Sequence, residues 1–180
     1  MAQIGLKNIY YAVMTINAET GAETYGTPKK IGHAVSVDIQ PQIATANLYG
    51  DDMAVATDIA LQEITVTIET THIPLEDQAT LLGHTYADGQ LTANMSDTAP
   101  YVALLFESQK HDGGIRCVKL LKGKFAASQE TINTKGENVE YQVPSLEGTF
   151  VAAASGAWKI IKDFEKGADT ASWYTSVLAA

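Results

Sequence analysis

Apolar and polar positions alternate strictly over residues 34–40, with Val35, Val37 and Ile39 on one side and Ser36, Asp38 and Gln40 on the other. That is the period of a half-buried strand. It returns over 63–69, where Ile64, Val66 and Ile68 form the apolar set and Glu63, Thr65, Thr67 and Glu69 face outward. Between 100 and 152 three extended segments, PYVALLFESQ, IRCVKLLKGKF and ENVEYQVPSLEGTFVA, are separated by HDGG and ASQETINTKG, which spells an antiparallel meander. Residues 101–106 are apolar without alternation, so both faces of that strand are expected to be covered. The third segment changes phase at Pro144, which predicts a bulge or bend there. A further strand is expected over 4–15, followed by the polar loop NAETGAETYGTP.

The clearest helix is predicted over residues 74–82. Pro74 suits its first turn, Glu76 and Asp77 complement its N-terminus, and Gly83 can end it. Leu75, Ala79 and Leu82 would form its inward stripe. Residues 41–61 show no sustained period and read as a long loop, a length that usually signals function. A brief strand is expected near Leu91. In the tail, Asp169 is placed to cap a short helix pairing Trp173 with Val177 and Tyr174 with Leu178, packed on its own domain or on a neighbour. The expected fold class is mainly β, a β-sandwich or barrel-like domain with one short flanking helix.

The 180 residues predict one domain with a sizeable core. A net charge of −9 argues against tight nucleic-acid binding through phosphate neutralisation. The charges are also segregated. No Lys or Arg occurs from 31 to 109, and Lys110, Arg116, Lys119, Lys122 and Lys124 then crowd together. Such halves are either solvated faces or an acidic and a basic surface that meet on neighbouring copies. The lone Cys117 reads as a buried thiol of a reducing compartment. The N-terminus lacks the pattern of a signal peptide, and no run approaches the roughly 18 apolar residues of a membrane helix. The chain is therefore expected in the cytosol until something else exports it.

Candidate chemistry is sparse. His33, His72, His84 and His111 lack metal-ligand spacing, and Gly113–Gly114 reads as a hairpin turn rather than a phosphate loop. Asp51, Asp52 and Asp58 lack the donor spacing of a calcium loop. No nucleophile, base or metal set can be assembled, so neither an enzyme nor a cofactor is expected.

Several blocks, in order, are IGLKNIYYA, YGTP, LYGDD, IPLEDQATLLGH, PYVALLFES, LLKGKF and TKGENVEYQVPSLEGTFV. Together they resemble the major tail protein family of long, non-contractile tailed bacteriophages and prophages, over nearly the whole chain. The resemblance implies a tail tube subunit: a β-sandwich or barrel-like domain with a flanking helix and a long stacking loop, assembling into hexameric rings that stack into a conduit for phage DNA. The implied layout is a single tail tube domain, with a β core and helix over 1–152 and a C-terminal arm over 153–180, without the appended immunoglobulin-like domain of some members. It also implies tape-measure, tail-tip and tail-terminator partners, DNA in transit without specific binding, no membrane, and a place in the virion tail after assembly in the host bacterial cytoplasm. Two rivals remain open: a tube of a type VI secretion or bacteriocin-like system, and a monomeric β-sandwich binding module.

Under that resemblance the inter-ring candidates are Leu48, Tyr49, Asp51, Asp52 and Asp58 on the acidic loop, meeting Arg116, Lys119, Lys122 and Lys124 on the basic strand. The candidates for a lumen wall are Ser36, Asp38, Glu63, Thr65, Thr67 and Glu69. A short-chained, mildly acidic lining repels DNA and lets it slide.

Overall fold

The structure is a computed structural model and describes residues 2–50, 53–127 and 143–178. In chain order the strands are β1 (Gln3–Ile16), β2 (Glu23–Tyr25), β3 (Lys29–Lys30), β4 (Ala34–Gly50) and β5 (Met53–Thr70). Helix α1 (Leu75–Leu82) follows, then β6 (Thr85–Ala87), β7 (Gln90–Thr92), β8 (Tyr101–Lys110), β9 (Ile115–Ala126), β10 (Ser145–Val151) and β11 (Lys159–Phe164). A 3-10 turn, Ala171–Tyr174, closes the described chain.

All strands but β6 and β7 belong to a sheet ordered β2-β1-β8-β9-β10-β5-β4, with β3 added on β1 and β11 on β9. Its end strands, β2 and β4, do not pair, so the sheet is not closed into a barrel. Instead it curls until β4 packs against β1, five places away in strand order. Ile9, Ile64, Val66, Ile68, Val102, Leu104, Val118, Leu120, Phe125 and Phe150 fill the curl, with Leu81 and Leu82 of α1 packed against them. Strand β8 is covered on both faces, as its unbroken apolar run predicts.

Helix α1 ends where expected, on Gly83 in the left-handed region at φ 75°. A Cβ there would lie 2.3 Å from the Thr98 carbonyl oxygen, so only glycine fits. The inward stripe is different from the expectation, since Leu75 is exposed while Asp77, Ala79, Leu81 and Leu82 are buried. Asp77 is tolerated inside because Tyr11 donates to it at 2.8 Å and the Lys29 ammonium sits 2.7 Å away.

Three further readings change. Residues 41–61 are not an irregular loop but lie mostly within β4 and β5, paired in register from Ala34↔Thr70 to Gly50↔Met53. Irregularities at Gln42/Ile43 and Leu48/Tyr49 break the alternation, and Pro41 is accommodated because β4 is an edge strand. The bend predicted at Pro144 becomes a strand start: β10 begins at Ser145, and Val139 and Tyr141 lie outside the described residues. The tail holds a strand, β11, that its short apolar run Ile160–Ile161 did not announce, and helical structure stops at Tyr174 instead of carrying Tyr174 onto Leu178.

Candidate assembly surfaces

The face of the sheet turned away from the curl is divided into two territories. One is covered by the C-terminal arm. There Ala12, Ala103, Leu105 and Leu121 meet Ala153 and Val177, and Tyr174 stacks on Tyr10 with ring centroids 4.5 Å apart. Two charged residues are buried under it. Glu107 accepts from Asn8 at 2.7 Å and from Thr170 and Tyr174, both at 3.1 Å, while the Lys119 ammonium donates to the Ser176 and Val177 carbonyls. In this structure the arm packs on its own chain. Cys117, also buried, has its thiol pushed up to about 12 by desolvation, which makes it unreactive.

The other territory is bare and polar. Ser36 pairs with Glu69, Asp38 with Thr67, and Thr65 and Glu63 with Gln40 and Gln42. All six candidates for a lumen wall therefore come together on one face, opposite the buried Ile64, Val66 and Ile68. Strand β10 extends that face through Ser145, Glu147 and Thr149, which pair with Glu69, Thr67 and Thr65. The meander was read from sequence without assigning these three residues a face. The alternation along SLEGTF carries the signal, since Leu146, Gly148 and Phe150 are the buried members.

The β4–β5 hairpin continues beyond the pairing with β10, which stops at Ile64. Past that point Ile43, Leu48, Tyr49, Met53, Val55 and Ile59 are each 59–70% exposed. The extra residue at Gln62 shifts the phase of β5, so Leu61 and Ile59 stay on the side of Ile43 and Thr45. Ala44, Ala46, Leu48, Ala56, Asp58 and Ala60 fall on the opposite side. The hairpin thus exposes Ile43, Ile59 and Leu61 on one face, and on the other alanines interrupted by Leu48 and Asp58, more apolar surface than water favours. Leu48, Tyr49 and Asp58 lie on it, all exposed, whereas Asp51 and Asp52 lie outside the described residues.

The basic strand is spent largely on its own chain. β9 lies inside the sheet rather than at an edge, between β8 and the pair β10 and β11. Arg116 makes two hydrogen bonds to Asp163, at 2.7 and 2.8 Å, and with Lys110 holds that carboxyl well below the usual carboxylate range. Lys122 bonds Glu23 at 2.7 Å. Lys119 corrects the expectation of a surface contact, because burial and two carbonyl partners keep it inside. Lys124, 4.5 Å from the Tyr101 ring centroid, has no carboxylate partner among the described residues.

Among the described residues no three His, Cys, Asp or Glu side chains could hold a metal ion. Among the described residues no helix is long and apolar enough to cross a membrane. A family model described as phage tail tube protein matches residues 1–176. The chain belongs to the phage tail tube protein family. No individually curated protein matches it. As a member of that family it is a structural protein of the phage tail, a subunit that self-assembles into a tube and associates with other tail components. The exposed hairpin and the bare polar face are the two surfaces that such a subunit has to dispose of.

Proposed function

We propose that this chain is the major tail tube subunit, that six copies close a ring, and that rings stack into the conduit through which DNA is ejected. The observation that carries the reading is the β4–β5 hairpin, whose apolar face is left without cover in a single copy. A contact that is head-to-tail rather than self-complementary does not close and so grows a filament. The hairpin tip, with Leu48, Tyr49 and Asp58, reaches the adjacent ring. Its open edges are paired by neighbours, which removes the aggregation hazard of a lone subunit.

The bare polar face lines the bore. Asp38, Glu63, Glu69 and Glu147 give it negative charge, and Ser36, Thr65, Thr67 and Thr149 keep it short-chained. DNA carries about one negative charge per 1.7 Å of axis, so this wall repels the duplex and offers no site to hold it. Assembly takes place in the host cytoplasm around a tape-measure protein, between a tail tip and a terminator, and the chain acts as one domain without catalysis.

The test is assembly of the purified protein. Wild-type chain is expected to give rings or tubes by negative-stain microscopy, and Ile59→Asp to give monomers with the same unfolding midpoint as wild type. A monodisperse wild-type monomer under all assembly conditions would contradict the reading.

A further inference from the structure

We infer that the hairpin of one copy docks on β11 of a second copy, and that Lys159 and Lys162, rather than the basic residues of β9, are its charged receivers. The inference rests on the tube reading and names the receiving surface that reading needs. Strand β11 pairs only with β9 among the described residues, so its other edge is open. Ile161, in its middle, is 49% exposed.

The charges around β11 differ from those on β9. On β9 Arg116 and Lys122 are engaged by Asp163 and Glu23, Asp163 being shared with Lys110 of β8, Lys119 is buried, and only Lys124, over the Tyr101 ring, has no carboxylate partner among the described residues. Lys159 and Lys162 have no carboxylate partner among the described residues and rest only over the rings of Trp158 and Phe164, at 5.5 and 5.0 Å. Lys166, just beyond the strand, has no carboxylate partner among them either. Lysines on an edge strand discourage pairing with strands at large. They favour one that carries negative charge and no cation.

The β4–β5 hairpin is such a strand pair. It lies wholly within the part of the sequence from 31 to 109 that has no Lys or Arg, its outer edge on β4 is open, and Asp58 is exposed on its far half. Ile43 and Ile59 offer apolar partners for Ile161. A hairpin and a distinct receiving edge on each chain make the contact heterologous, as tube growth requires.

The experiment uses two charge-reversed full-length proteins, Asp58→Lys and the double variant Lys159→Glu/Lys162→Glu, with wild type as reference and circular dichroism to verify folding. Each variant alone is expected to need about tenfold more protein to assemble than wild type at low salt. An equimolar mixture is expected to recover assembly, because each variant's hairpin then meets an oppositely charged β11 on the other. Variants that assemble like wild type, or a mixture that stays dispersed, overturn the inference while leaving the tube reading standing. Loss of retention on DNA-cellulose by the lysine variant with assembly unchanged also overturns it. Failure of wild type to form rings or tubes removes both.

Discussion

The ammonium of Lys119 lies 4.1 Å from the centroid of the Trp173 ring and donates to the carbonyls of Ser176 and Val177. One buried cation thus ties the end of the chain to the middle of the sheet. Lys119→Ala is expected to lower stability by about 2–4 kcal/mol, through a cavity and two carbonyls left without a donor. Lys119→Met keeps the stem packed and should cost about 1 kcal/mol. Urea unfolding measures both, and equal losses for the two variants would show that packing of the stem contributes nothing.

Gly123 and Gly148 each sit across from a phenylalanine: Gly123 pairs with Phe150, Gly148 with Phe125, and the two rings meet edge to face at 5.8 Å. A Cβ on Gly123 would lie 2.4 Å from ring carbons of Phe150, and one on Gly148 would lie 2.9 Å from the Lys124 carbonyl oxygen. Either glycine changed to alanine is expected to destabilise by about 1–3 kcal/mol. Phe150→Leu should relieve part of the Gly123→Ala loss in the double variant, since a flexible side chain can yield where a buried ring cannot. Strict additivity would refute the clash.

Alkaline pH should unfold this protein early. Burial raises the Cys117 thiol from 9.0 to about 12, and burial, with Asp77 as acceptor, raises the Tyr11 phenol from 10.0 to about 12. Burial also raises Tyr25 and Tyr174. These groups keep their protons in the fold while the unfolded chain releases them, so their stabilisation is complete below about pH 9 and is lost as pH climbs through 9 to 12. Lys119 and Lys159, lowered from 10.5 by burial, act in the opposite sense but are fewer. Urea midpoints at pH 8, 9.5 and 11 should fall steadily, with a shallower slope in Tyr174→Phe. A flat profile would disprove the linkage.

The charge of the polar face should govern DNA passage and not assembly. Glu63 is exposed there and its pair position on β4 is Gln42. Lys substituted at Glu63 and Thr65 is expected to change monomer stability by no more than about 0.5 kcal/mol per site and to leave tube length unchanged. Genome ejection followed with a DNA dye should slow in phage carrying the variant. Normal ejection would place this face elsewhere than the bore.

Local pattern alone specified much of this protein. The alternation at 36–40 and 63–69 places Ser36, Asp38, Glu63, Thr65, Thr67 and Glu69 on one polar face, because a strand with one buried side cannot shift by a residue without exposing its core set. Val35, by contrast, leaves the expected pattern at the irregularity between Ala34 and Ser36 and is 46% exposed. Helix α1 was legible through Pro74 and Gly83, and the covered strand β8 through its unbroken apolar run. The family was legible as well, since short blocks in fixed order survive in the chain itself. Tertiary structure decided the rest. The long hairpin was hidden because bulges at Gln42/Ile43 and Leu48/Tyr49 interrupt the period on which a strand is recognised. Whether a lysine is free or spent depends on residues distant in sequence: Lys119 is tied down by Ser176 and Val177, Lys122 by Glu23, while Lys159 and Lys162 find no carboxylate among the described residues. Charge counts along a chain carry no record of those partners, because the partners are chosen by how the sheet curls and where the arm comes to rest.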